Sequence, residues 1–138
     1  MADEYKPEPS EPASCVAYVT PYIIHGDNPG GNRTCEEVSK AFNGPYYDGS
    51  FKSDKDDLYS YLPKWLNVKV TDGKHVSFYS YGPKIGAVIV KGGPKANVYH
   101  YEYAVKYDNC LAPPKNHSGK PADLSNITFC WKKPDKPY

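Results

Sequence analysis

Two groups of side chains carry reactive chemistry at short spacing. His100 and Glu102 lie in Asn97 to Lys106, NVYHYEYAVK, where ring-bearing and polar positions alternate, so both project from one face of a strand. An imidazole beside a carboxylate is the composition of a general base with its orienting partner, or of part of a metal site. Strand alternation alone generates such a pair, and an exposed polar face is the reading adopted here. Asp54, Asp56 and Asp57 form an acidic group suited to calcium. They lack the glycine and the distal glutamate of an EF-hand loop, so they read as a solvated loop. No GxSxG, HExxH, P-loop or dinucleotide fingerprint occurs. The four cysteines include no C-x-x-C, and Cys15 and Cys35 lie 20 residues apart, which speaks against zinc. No catalytic residue, metal or cofactor is expected, and the chain reads as a non-enzyme.

The other notable side chains are aromatic. The chain has 14 tyrosines but only four phenylalanines and one methionine. Tyr99, Tyr101 and Tyr103 share one strand face with Val105, and Tyr79 and Tyr81 end a preceding strand. These five are the candidate binding face, because tyrosine offers wide, amphipathic contact area at low entropic cost. The alternative is that the rings cover the core with their hydroxyls at its rim. Alternation does not tell which face is buried, so both readings stand.

The elements that would position these residues follow in chain order. Residues 1–14, MADEYKPEPSEPAS, are proline-rich and charged without apolar periodicity, and are expected to form a linker or tail, as are residues 133–138. The domain is expected to span 15–132. Cys15 to Ile24 reads as a first strand, bent or placed at an edge by Pro21. Thr34-Cys35-Glu36-Glu37 is a capping box, Val38 and Phe42 are spaced i, i+4, and Asn43-Gly44 is a stop, so the one substantial helix is expected at 34–42. Asn43 to Asp57 reads as a loop and Leu58 to Leu62 as a short strand. Leu66, Val68 and Val70, then Asp72-Gly73, then Val76 and Phe78 specify a hairpin whose turn is type I′. His75, Ser77, Tyr79 and Tyr81 take its other face. Ile85 to Val90 is an apolar run broken only by Gly86 and closed by Gly92-Gly93-Pro94, a central strand buried on both faces. The tyrosine strand follows. Tyr107 to Ala122 reads as a long loop, Pro121 to Ser125 as one helical turn, and Asn126 to Lys132 as the last strand. About seven short strands with one inserted helix make an all-β, antiparallel β-sandwich, Ig-like or jelly-roll-like.

Composition bounds the partners. Hydrophobic residues make up 39% and mean hydropathy is −0.71, within the globular range. A net charge of +1 argues against nucleic acid or an anionic membrane surface. No stretch is apolar enough to span a bilayer. An even number of cysteines fits two disulfides and an oxidising compartment. The sequons at Asn32, Asn116 and Asn126 are glycosylation candidates in that setting. Met1 leads into Ala2-Asp3-Glu4 with no apolar leader, so a removed signal peptide is expected. Pairing neighbours, Cys15 with Cys35 and Cys110 with Cys130, closes the shorter loops and costs least chain entropy.

The segment AVIVKGGPKANVYHY, followed by LAPP, SGKP and LSNITFCW, resembles a small domain of bacterial and other extracellular surface proteins. In that family a "VIVKGG…NVY" strand precedes a "GL-HAP-NP-SGK" loop and an "LSHI-FC" strand. GNRTC at Gly31 to Cys35 is similar to its upstream cysteine motif. The resemblance covers residues 85–131 and thins before residue 66. Cys110, Ala112 and Asn126 depart from it: the family has threonine or glycine near the first and histidine near the other two. The resemblance implies a non-catalytic module of a secreted or wall-associated protein. It also singles out Cys35 and Cys130 as a pair, leaving Cys15 to Cys110.

The expectation is therefore a secreted or cell-surface module, structural, adhesive or self-assembling. Its partners would be other extracellular proteins or copies of itself, with glycans as a further class. A lectin-like domain using the tyrosines with Trp65 or Trp131 is the first alternative. A small secreted hydrolase or inhibitor is the second.

Overall fold

The computed structural model describes residues 7–9, 15–24, 26, 31–58 and 60–132. Most of the two expected tails lies outside these residues. Among the described residues, nine strands form two antiparallel sheets, with one α-helix. They are β1 (Glu8–Pro9), β2 (Tyr22–Ile23), α1 (Cys35–Phe42), β3 (Gly49–Asp54), β4 (Leu66–Thr71), β5 (His75–Ser80), β6 (Ile85–Gly92), β7 (Lys95–Val105), β8 (Tyr107–Leu111) and β9 (Asn126–Trp131). The larger sheet has the order β1-β2-β7-β6-β9-β3 and the smaller β4-β5-β8. The fold is an all-β, sandwich-like domain.

Strand β6 is buried on both faces because a different layer covers each. Ile85, Val88 and Val90 meet Phe78, Leu66, Val68, Ile127 and Phe129 between the two sheets. Ala87 and Ile89 belong with Val98, Cys130 and Val38 to a second core under α1. A register shift between Ile85 and Ala87 lets Ile85 share a face with Val88 and Val90. Gly86 sits at that shift, and a Cβ there would meet the Tyr47 ring at 2.7 Å.

Local signals set the turns and the helix end. Thr34 accepts from the Glu37 N–H while the Glu37 carboxylate accepts from the Thr34 N–H, and Asn43 ends the helix in the left-handed region at φ 59°. Asp72 and Gly73 have φ of 60° and 65°, as a type I′ turn requires, and the Lys74 N–H donates to the Thr71 carbonyl.

Five expectations are corrected. Over Cys15 to Ile24 only Tyr22–Ile23 is a strand; residues 15–21 run as an irregular strap held by a disulfide and a side-chain hydrogen bond in place of strand pairing. Gly49–Asp54, read as loop, is an edge strand paired with β9 along its length, from Gly49 opposite Trp131 to Asp54 opposite Asn126. Leu58 and residues 60–62 are not in a strand: a 3-10 turn at Lys55–Asp57 precedes them, and Leu58 is buried. Tyr107–Leu111 is a strand rather than the start of a loop, and Pro121–Ser125 is not helical. There the Leu124 N–H donates to the Gly73 carbonyl and the Ser125 N–H to the Lys91 carbonyl. Those two bonds draw the segment straight across the turns.

The cysteines pair as Cys15–Cys110 and Cys35–Cys130, each across 95 residues, and not with their nearer neighbours. The second pair ties the start of α1 to β9, and the first ties the strap to β8.

Candidate functional site: a row of exposed tyrosines

The five candidate tyrosines occupy different environments. Tyr99 and Tyr101 lie in the core, each 3% exposed. Tyr99 receives a hydrogen bond from the Ala112 N–H at 3.0 Å and donates to the Ala112 carbonyl at 3.2 Å. Burial pushes its hydroxyl up to about 12. Tyr101 donates to the Asp108 carboxylate at 2.7 Å, and burial, together with that negative neighbour, pushes its hydroxyl further up still. The small sheet, which covers this face of β7, decides that these rings are interior. Tyr103 is 82% exposed near the end of β7, beyond that cover.

Tyr79 and Tyr81 are on the outside. Val76, Phe78 and Ser80 take the buried face of β5, so Tyr79 projects from the opposite, solvent face, and Tyr81 follows just past the strand end. Two rings not anticipated from sequence join them. Tyr107 on β8 stands directly opposite Tyr79, and Tyr18 comes from the strap. The centroids run Tyr81 to Tyr79 at 4.7 Å, Tyr79 to Tyr107 at 6.5 Å and Tyr107 to Tyr18 at 6.1 Å. The four residues are 70%, 41%, 38% and 66% exposed in that order, with Val16, also exposed, two residues before Tyr18 in the strap. Successive planes are inclined by 49°, 47° and 66°, so the row is corrugated and not a flat platform.

A buried carboxylate holds the Tyr18 end in place. Asp108 is fully buried and accepts from the Tyr18 N–H at 3.1 Å, the Tyr101 hydroxyl at 2.7 Å and the Asn109 N–H at 2.7 Å. Three donors on one carboxylate compensate its loss of water. Asn109 in turn donates to the Tyr107 hydroxyl at 2.9 Å. The strap is thus pinned by the Cys15–Cys110 bond at one point and by Asp108 at another. Sequence reasoning missed Tyr18 and Tyr107 because neither lies in a regular alternating run; their meeting depends on β5–β8 pairing across a long stretch of chain.

A cleft of about 170 Å³ opens beside Tyr18, between the strap and β7. Val19, Tyr99, Ala112, Pro113 and Pro121 line it, together with Asn97. Asn97 is 3% exposed; its Nδ2 donates to the Ala112 carbonyl at 2.9 Å, while its Oδ1 is buried without a hydrogen-bond partner.

The reactive candidates are dispersed. His100 stacks on Phe42 of α1 at 4.1 Å with the planes 1° apart, and burial holds its imidazole below the usual value. Glu102 is exposed, so His100 is a half-covered seat for the helix and not part of an open polar face. Asp54 closes β3, and Asp56 and Asp57 lie on the exposed 3-10 turn; among the described residues no cluster of His, Cys, Asp or Glu could hold a metal ion. Trp65 and Trp131 pack edge-to-face at 4.8 Å against the inter-sheet core. Asn126 donates to the Asn32 side-chain carbonyl at 3.4 Å, while Asn116 occupies an exposed turn in which it accepts from the Ser118 N–H. No helix among the described residues is long and apolar enough to cross a membrane.

Comparison with known protein families, with curated proteins and with solved structures finds no match.

Proposed function

We propose that this chain is a non-catalytic, extracellular contact module that docks another extracellular protein, or a copy of itself, on the face formed by Tyr81, Tyr79, Tyr107 and Tyr18. One observation carries the reading: four adjacent tyrosines remain exposed along the small sheet and the strap, held by paired strands and a buried carboxylate. Rings on a rigid support lose little entropy when a partner covers them. Two disulfides in a chain of this size suit an oxidising compartment, which supports a secreted or surface setting. The resemblance of residues 85–131 to extracellular surface domains points the same way. The tilts of 47° to 66° favour a protein over an extended polysaccharide plane, which would meet ring edges and not faces.

The test compares the native protein with the triple variant Tyr79→Ser, Tyr81→Ser, Tyr107→Ser. Self-association is followed by sedimentation equilibrium, and heterotypic binding by capture from the medium of the source cells. Loss of the native contact in the variant supports the reading. Equal behaviour of the two proteins sinks it. Saturable binding on a glycan array that needs the same tyrosines would transfer the face to the lectin-like alternative.

A further inference from the structure

A contact face does not by itself use the redox chemistry that these tyrosines carry. All four cysteines are held in disulfides, Met1 is the single methionine, and both tryptophans pack against the inter-sheet core. One-electron oxidation at the surface therefore falls on phenols. Among the described residues Tyr46, Tyr61 and Tyr103 are the most exposed phenols, at 75% to 82%, and none of them meets another described aromatic ring. Tyr79 and Tyr81 are less open, yet their centroids lie 4.7 Å apart with the planes inclined by 49°. Strand β5 holds Tyr79, and the Tyr81 N–H donates to the Trp65 carbonyl at 2.7 Å, so both backbones are fixed. Two reacting groups held in contact behave as though at very high concentration, which is worth several powers of ten in rate. Tyr107 is the poorer neighbour: it lies 6.5 Å from Tyr79, and its hydroxyl oxygen already accepts from the Asn109 amide at 2.9 Å.

We propose that Tyr79 and Tyr81 form a site of oxidative modification, at which an extracellular haem peroxidase with hydrogen peroxide joins the two rings as dityrosine. Each phenol loses one electron and its hydroxyl proton. The two phenoxyl radicals, whose unpaired electrons extend onto the carbons beside the oxygen, pair to form one carbon–carbon bond between those ortho carbons. Each ring then moves the hydrogen on its joined carbon to its own oxygen, and both phenols are restored. The two electrons and two protons reduce one hydrogen peroxide to two waters, so the chain is lighter by two hydrogen atoms. The link ties Tyr81, just past the end of β5, to the strand itself and stiffens that end of the row. The oxidant belongs to a secreted setting, so the inference rests on that part of the reading above; it needs no partner on the row.

The experiment treats the whole protein, dilute enough to stay monomeric, with a haem peroxidase and stoichiometric hydrogen peroxide. The expected product is a monomer lighter by two hydrogen atoms, with the blue fluorescence of dityrosine. Cleavage after Lys74 and Lys84 releases the peptide from His75 to Lys84, and the mass loss should reside there. Backbone breaks between Tyr79 and Tyr81 should then yield no separate fragments, because the ring link holds the pieces together. Tyr79→Phe keeps a ring in place and should cut the monomeric product about tenfold. Tyr103→Phe should leave it unchanged. Links found chiefly at Tyr46, Tyr61 or Tyr103, or equal yield from native protein and Tyr79→Phe, overturn the site, and so does the lack of any monomeric product. None of these outcomes touches the contact reading, whose own test is the serine triple variant.

Discussion

Tyr79 and Tyr107 stand directly opposite one another on β5 and β8, ring centroids 6.5 Å apart, and this one cross-strand pair joins the Tyr81 end of the exposed row to the Tyr18 end. Because both rings are partly solvated, they contribute only modestly to the fold. Replacing either by serine should lower stability by no more than about 1 kcal/mol, the range of an exposed cross-strand pair. Urea unfolding of the two single variants and the double variant measures both the cost and the coupling. A loss several times larger would show that the row is a structural element.

Asp108 should behave in the opposite way. Asp108→Ala removes the acceptor from the Tyr18 N–H and the Tyr101 hydroxyl and leaves a buried hydroxyl without a partner. A loss of about 3–5 kcal/mol is expected, as when one member of a buried charged network is removed. Tyr101→Phe deletes one of the three donors and should cost less, about 1.5–3 kcal/mol. Chemical denaturation orders the two, and a reversed order would contradict the role given to the carboxylate.

The buried tyrosines set an alkaline limit. Burial raises Tyr47 and Tyr99 from 10.0 to about 12. In each the folded state holds the proton more tightly than the unfolded chain does. Their contribution is therefore complete below about pH 10 and is lost as the pH climbs from 10 towards 12. Absorbance of tyrosinate at 295 nm should show the exposed rings ionising first, and a second, cooperative rise should coincide with loss of near-UV circular dichroism. A single non-cooperative titration of all the rings would show that the interior tyrosines are open to solvent.

The two disulfides should differ in what they protect. Replacing Cys35 and Cys130 together by alanine unties α1 from β9 and should cost about 2–5 kcal/mol in global unfolding. Replacing Cys15 and Cys110 loosens the strap, so limited proteolysis should cut near Val16 to Thr20 well before the sandwich unfolds. Equal protease resistance of native and Cys15/Cys110 variant would show that the Asp108 contacts alone hold the strap.

The corner after β6 offers a backbone test. A Cβ on Gly92 would lie 2.4 Å from the Asp123 carbonyl oxygen and 2.7 Å from Pro113, so Gly92→Ala must displace the 121–125 segment. Thermal unfolding should show destabilisation of about 1–3 kcal/mol, as for overpacking. An unchanged midpoint would mean that the segment yields freely.

The sequence by itself determined the elements whose signals are local. The apolar run from Ile85 to Val90, the Asp72-Gly73 turn between alternating strands and the Thr34-to-Glu37 capping box each state their geometry within a few residues, because pleat, φ sign and cap bonding are short-range constraints. That Tyr79 and Tyr81 share the face opposite Val76 and Phe78 follows from the same alternation, while which of the two faces meets solvent is set by the packing of the sheets. Only the tertiary structure decided the rest. β3 has one apolar residue, Phe51, and exists because β9 supplies hydrogen-bonding partners; β8 carries Asp108 and Asn109, turn formers that pair because the strap and Tyr101 satisfy the carboxylate. Burial of Tyr99 and Tyr101 but not Tyr103 depends on how far the small sheet extends over β7. The meeting of Tyr18 with Tyr107 joins residues 89 apart in the chain, a contact that no local pattern encodes, since it is made by the packing of two sheets and a strap.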